Sequence, residues 1–195
     1  MGRLEKQLAL LIELDKLKSV LRRTRVKSAE GRRENSGEHS WHVALMAVLL
    51  VEHANTSVDV CRVIKMLLIH DVVEIDAGDT FVYDTAASRE QAEKEIKAAE
   101  RLFGMLPIEQ GRELLALWHE FEAAQTNEAK YAKALDRLIP MLLNYHNDGQ
   151  SWKEHGVTRE QVLTVNERIE FGSVTLWDKA KELIEDATEK GWLKS

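Results

Sequence analysis

Apolar residues recur at three- and four-residue spacing along almost the whole chain, and only two prolines and ten glycines interrupt them. That periodicity predicts helices. Leu4, Leu8, Leu11, Leu14, Leu17 and Leu21 form one stripe, so a first helix is expected to run to about residue 21. A second is expected over about 38–54 and a third over about 58–76, closed by Gly78. Ser88 followed by Gln91 is a capping-box signal for a charged helix that stops at Gly104. Pro107 suits the first turn of a helix reaching about residue 123. Thr126 can cap another, carrying Tyr131, Leu135, Leu138, Leu142 and Leu143, in which Pro140 predicts a kink by removing a donor and crowding the preceding turn. Thr158 with Gln161 opens a helix ending at Gly172, and a last one covers about 176–190. No repeat or linker separates these segments, so the expected fold is all-α, one compact bundle over residues 1–195.

The length of 195 residues suits one domain with a real core, and 44% hydrophobic with 31% charged residues excludes a disordered chain. The single cysteine, Cys61, cannot form an intramolecular disulfide, and MGRLEKQL carries charges where a signal peptide needs an apolar stretch. A cytoplasmic location is therefore expected. The apolar run over 43–51 is far shorter than the roughly 20 residues that cross a bilayer. Net charge is −6, yet residues 1–33 hold ten Lys and Arg against four acids. Much of that excess lies in RRTRVKSAEGRR, residues 22–33, which reads as a solvated loop or as a strip that attracts phosphate groups.

Neither a GxxxxGK[ST] nor a GxGxxG phosphate loop is present. His119-Glu120 lacks the second histidine of a zinc-protease helix, since residue 123 is Ala, and GQSWK around Ser151 lacks the second glycine of a nucleophile elbow. The informative stretch is MLLIHDVVEIDAGDT, residues 66–80. Here an apolar helix delivers His70 and Asp71 toward a core, where a carboxylate costs several kcal/mol unless something positive lies beside it. A divalent cation meets that need, because imidazole with carboxylate is an ordinary ligand mix for first-row metals. Glu74 follows within one turn, and Gly78 lets the chain turn so that Asp79 can approach it. Such a pair suits general acid and base work on a water activated by a metal. A lone His-Asp doublet is more often a satisfied core histidine beside surface acids, but two further elements add candidates. EHSWHV, residues 38–43, offers His39, with His42 three residues later in a supporting or packing role, and LDRL, residues 135–138, sets Asp136 among leucines. The candidate ligand set is His39, His70, Asp71 and Asp136. The five tryptophans read as packing or interface residues.

These motifs, in this order, resemble the HD-domain metal-dependent phosphohydrolases, in particular their small 5'-deoxynucleotidase branch. ENSGEHS is similar to the family's first histidine element at His39, HDVVEIDAGD to its HDxxExxxGD element at His70, Asp71, Glu74 and Asp79, and AKALDRL to its distal aspartate at Asp136. The likeness runs from the first helix through about residue 150, with the motif-bearing core at 36–150. It implies a helical HD bundle holding one divalent metal, usually as a homodimer, and a 5'-deoxynucleoside monophosphate substrate split into deoxynucleoside and phosphate. It also implies an arginine near the end of the first helix on the phosphate, here Arg23 or Arg22. Some relatives place a tryptophan after that arginine to prefer deoxyribose, whereas this chain has Thr24. His and carboxylate ligands admit Mn, Co, Fe, Ni, Zn or Mg.

Two other functions fit the same residues less well. An HD hydrolase of another nucleotide or phosphate ester usually adds histidines or domains that this sequence lacks. A silent nucleotide- or nucleic-acid-binding module has no evident need for both Glu74 and Asp79.

Overall fold

The computed structural model describes residues 2–80 and 88–194, with the side chains of 88 and 89 excepted, so the Ser88 capping signal lies outside the described residues. Helix α1 spans Arg3–Glu13 and runs into a 3-10 turn over Leu14–Ser19. The expected first helix is therefore too long, and Leu21 opens a strand instead. Of its leucine stripe only Leu17 is buried, while Leu4, Leu8, Leu11 and Leu21 remain exposed; Leu10, off the stripe, is the other buried leucine of this segment.

The basic strip is neither helix end nor loop. Strands β1 (Leu21–Val26) and β2 (Arg32–Asn35) pair antiparallel, with Arg25 opposite Arg33 and Val26 opposite Arg32, and the register shifts between Leu21 and Arg25. This hairpin is the one addition to an otherwise helical fold among the described residues.

Helix α2 (Ser36–Leu49) starts two residues earlier than the apolar spacing predicts, because Asn35 and Glu38 form a reciprocal capping box. Helix α3 (Val60–Ile69) is capped by Asp59 and ends earlier than expected, tightening into a 3-10 turn over His70–Val73 before the short α4 (Glu74–Ala77). A cause lies in the sequence. His70 Nδ1 donates to the Leu67 carbonyl at 2.8 Å, competing for the acceptor that the next backbone N–H of a continuing α-helix would use.

Helices α5 (Ser88–Gly104), α6 (Ile108–Ala123) and α7 (Asn127–His146) lie close to their expected spans, with Pro107 at the α6 N-cap and Thr126 Oγ1 accepting from the Ala129 N–H. A short α8 (Gln150–His155) has no counterpart in the sequence reading. The capping box of Thr158 and Gln161 opens α9 (Arg159–Asn166), but the helix expected to reach Gly172 breaks and resumes as α10 (Ile169–Gly172) before α11 (Val174–Glu189).

Two apolar clusters organise these elements. The larger gathers Val43, Met66, Leu67, Tyr131, Leu135, Ile169 and Ile184 from α2, α3, α7, α10 and α11. The smaller joins Leu10 and Leu17 to Val72, Leu102, Phe103 and Trp118. Ile69 packs on both, so the turn carrying His70 to Val73 sits at the seam between them. That position exposes polar groups to a cleft while their backbone stays anchored on both sides. No helix among the described residues is long and apolar enough to cross a membrane.

Candidate active site

Three elements deliver the central group. His39 lies in the first turns of α2, His70 at the α3 break, and Asp136 near the middle of α7; one ligand atom from each falls within 4.8 Å of the others. His39 is fully buried and its Nε2 is 3.1 Å from Asp136 Oδ1. His70 Nε2 is 3.0 Å from Asp71 Oδ1 and 3.4 Å from Asp136 Oδ1.

The donor set can be tested for a cation. A carbonyl only accepts, so the bond from His70 Nδ1 to Leu67 fixes the proton on Nδ1 and turns the Nε2 lone pair of a neutral ring toward two carboxylates. That buried Nε2 has no hydrogen bond of acceptable geometry. Lone pair against carboxylate is repulsive unless a proton or a metal ion intervenes. Two imidazoles and a carboxylate are the ordinary ligands of a first-row divalent metal, and His39, His70 and Asp136 fit one.

In the metal-free site the ionisations follow from these contacts. Burial alone would lower His70, but Asp71 and Asp136 overcome it and raise the imidazole to about 10. Burial likewise opposes ionisation of Asp71 and Asp136, yet His70 and Arg22 hold Asp71, and His39 and His70 hold Asp136, well below the usual carboxylate range. Glu74 behaves oppositely. Burial, then the charge of Asp71, push it up to about 9, and burial also raises Asp79. Ser36 Oγ donates to Glu74 Oε2 at 2.5 Å and fixes that carboxyl group.

Arg22 enters the site from β1. Its Nη1 is 2.7 Å from Asp71 Oδ2 and 3.8 Å from both Glu74 Oε1 and Asp79 Oδ1. Asp71 thus reaches the edge of the metal group with one oxygen toward His70 and the other on Arg22. The strand separates the two arginines, because neighbouring residues on a strand point to opposite faces. Arg22 and Thr24 turn inward, whereas Arg23 is exposed and reaches the same cleft from its rim. Gly78, at φ +76°, makes the turn that brings Asp79 back toward Glu74's side of the cleft.

Arg22, Arg23, Thr24, His70, Asp71, Glu74, Asp79 and Asp136 border a cavity of about 420 Å³, whereas His39 and Ser36 lie behind its wall. Its walls also carry Gln91 and Glu95 of α5, Lys133 and Arg137 of α7, and Trp152 and Asn166 from α8 and α9. Several of these were not singled out by the sequence. Glu34 on β2 is another: it is buried, with Oε2 3.7 Å from both His39 Nδ1 and Arg22 Nε. Trp118 donates from Nε1 to the His70 carbonyl at 3.2 Å and so pins the backbone there. Only Glu34 had a sequence-level signal, an acid at the end of a basic strip. His42 lies outside this group, with its ring 5.8 Å from Trp41.

A helical bundle with histidines and aspartates converging between helices defines a class, and the family model for the HD domain matches residues 14–177. The chain belongs to the HD domain family. A crystal structure from Magnetospirillum magnetotacticum MS-1, described as a predicted metal-dependent phosphohydrolase, is similar over 99% of this chain and 96% of its own, with a TM-score of 0.94 and 50% identity. Among curated proteins, the 5'-deoxynucleotidase HDDC2 of Xenopus laevis is 36% identical over 114 residues, covering 57% of this chain and 55% of its own length. The protein of the same name from Dictyostelium discoideum is 29% identical over 140 residues, covering 69% and 74%. The chain thus spans about half the length of the frog relative it matches.

Proposed function

We propose that this protein is a metal-dependent phosphohydrolase that removes phosphate from 5'-deoxynucleoside monophosphates. The observation that carries the reading is the orphaned His70 Nε2 among His39, Asp71 and Asp136, at the wall of a cavity that Arg22 and Arg23 also line. The names of the similar proteins point the same way.

In this reading His39, His70, Asp71 and Asp136 hold one divalent cation, one of Mn, Co, Fe, Ni, Zn or Mg. Such an ion supplies charge neutralisation and lowers the pKa of water toward neutrality. Arg22, kept cationic by Asp71, Glu74 and Asp79, offers a planar fork to phosphate oxygens, and Arg23 adds charge at the rim. Burial and Asp71 raise Glu74 above the ordinary 4.5, so it holds its proton while the cation is absent; beside the charge of a bound cation the carboxylate is freed to take a proton and return it to a leaving alkoxide. Ser36 aims that carboxyl, and Asp79 tunes it by charge. Residues 1–195 act as one domain, the protein works as a cytoplasmic homodimer, and nucleic acid is not its substrate.

The test is phosphate release from a panel of 5'-deoxy- and 5'-ribonucleotides by chelated protein resupplied with single divalent metals. Release from deoxynucleoside monophosphates that returns only with metal supports the reading. Asp71→Ala should lose metal and activity together, whereas Glu74→Gln should keep metal and lose roughly 10²–10⁴-fold in turnover. A metal-loaded Glu74→Gln enzyme as fast as wild type would remove Glu74 from its role.

A further inference from the structure

The cavity has two ends of different chemistry. Lys133, Asp136, Arg137, Pro140, Met141 and Asn144 recur at three- and four-residue spacing, so one face of α7 forms a continuous wall. Toward the start of that face the groups are charged. Lys133 Nζ is 3.0 Å from Glu122 Oε1 and lies 3.9 Å over the Phe121 ring, with Glu95 also on the wall. Toward its end they are neutral: Asn144, Ser151, Trp152 and Asn166, from α7, α8 and α9, with Pro140, Met141 and Val165 as apolar neighbours. At 1.5 Å per residue, Asn144 stands about 12 Å along the helix from the ligand Asp136, a span suited to a nucleotide lying with its phosphate at the metal group.

The neutral end holds polar atoms with defined and unused roles. Asn144 Nδ2 donates to the Pro140 carbonyl at 2.9 Å and Asn166 Nδ2 to the Val162 carbonyl at 2.8 Å. Because a carbonyl only accepts, these bonds fix which way each amide is turned and leave both Oδ1 atoms as acceptors. Neither has a hydrogen-bond partner among the described residues. Asn166 is 4% exposed and Trp152 2%, and the Trp152 Nε1 donor is buried without a partner. Buried polar groups are nearly always satisfied, so an orphaned donor on a residue that lines the same cavity as two open acceptors points to a ligand that supplies the missing bonds. The segment is also braced: Asn147 Nδ2 donates to the Arg25 carbonyl at 2.8 Å and Arg25 pairs with Glu154, which ties α7 and α8 to the strand bearing Arg22.

We propose that Asn144, Ser151, Trp152 and Asn166 form a nucleobase-reading subsite that accepts hydrogen bonds from an exocyclic amine and donates one to a neighbouring ring nitrogen or carbonyl. This rests on the nucleotide reading above and deepens it. Adenine and cytosine present an amine beside an acceptor, whereas thymine and uracil present carbonyl oxygens where the amine would stand. Two acceptors facing a carbonyl would be left unpaired and repelled.

The experiment uses the full, metal-loaded chain and compares kcat/KM for two substrate pairs. The first is 2'-deoxyadenosine 5'-monophosphate against the purine 2'-deoxyriboside 5'-monophosphate that lacks only the 6-amino group; the second is the deoxycytidine against the deoxyuridine monophosphate. The amine-bearing member of each pair should be favoured about tenfold, the scale of one lost hydrogen bond to a site that cannot rehydrate fully. Asn144→Leu, on a half-buried position with a good helix former, should narrow both ratios toward one, which a merely structural role would not do. Equal kcat/KM within both wild-type pairs would overturn the subsite while leaving the nucleotidase reading in place. Absence of hydrolysis for every deoxynucleotide with every metal would overturn both.

Discussion

Glu34 stands beside both His39, a proposed metal ligand, and Arg22, so replacing it tests whether the hairpin is part of the metal site. The carboxylate is 3% exposed. Its Oε2 stands 3.7 Å from His39 Nδ1 and 3.7 Å from Arg22 Nε, and all three atoms are buried without hydrogen bonds. A movement of under about 1 Å would bring each pair to the usual 2.9 Å separation, and an ion that orients His39 favours that movement. A proton held on His39 Nδ1 by Glu34 leaves Nε2 as the ligand atom, which is how outer carboxylates raise the basicity of metal-binding imidazoles. Glu34→Ala removes that partner and strands Arg22 Nε, so metal affinity should fall 10–100-fold, about 1.4–2.8 kcal/mol. Glu34→Gln keeps a carbonyl acceptor in place and should recover part of the loss. Affinity is read by competition with a chromophoric chelator, with thermal melts to verify that each variant is folded. A Glu34→Ala protein that binds metal within about twofold of wild type would refute this coupling.

Two further outcomes follow from the same contacts. Without a cation, His70, raised against its burial to about 10 by Asp71 and Asp136, and Glu74, raised to about 9 by burial and Asp71, both hold protons at neutral pH. Metal binding at pH 7 should therefore release protons, seen as a dependence of the calorimetric heat on buffer ionisation enthalpy; no such dependence would contradict the assigned protonation. Both groups bind protons more tightly folded than unfolded, so their contribution to stability is complete below the unfolded values of 4.5 and 6.5 and is lost as pH rises toward 9 and 10. Metal-free protein should consequently melt lower at pH 9.5 than at pH 7, and saturating metal should flatten that slope. Gly172→Ala should destabilise by about 1–3 kcal/mol, because its Cβ would stand 2.5 Å from the Lys130 carbonyl oxygen and 2.7 Å from Ala134 Cβ on α7. An unchanged melting temperature would show that α10 and α7 separate freely.

What the sequence revealed and what it hid divide along one physical line. Features with local causes were legible: Thr126, Thr158 and Pro107 mark helix starts because caps act within one turn. His70, Asp71, Glu74 and Asp79 are contiguous, and no ordinary core explains a His-Asp doublet there once His39 and Asp136 are added from other helices. The hairpin was hidden because RRTRV becomes a strand only by pairing with residues 32–35, a contact that helical spacing upstream gives no reason to expect. That one miss propagated into the site. A helix end could not choose between Arg22 and Arg23, whereas the two-residue period of a strand sends Arg22 inward to Asp71 and leaves Arg23 at the rim. Ser36 and Trp118 acquire their roles only when α2 and α6 pack around the His70 turn, and Glu34, an acid just past the basic strip, acquires its own only when β2 pairs, so no spacing in the chain announces them. The chemistry of such a site is written in its contiguous ligands, while its orientation is written in packing partners far away in sequence.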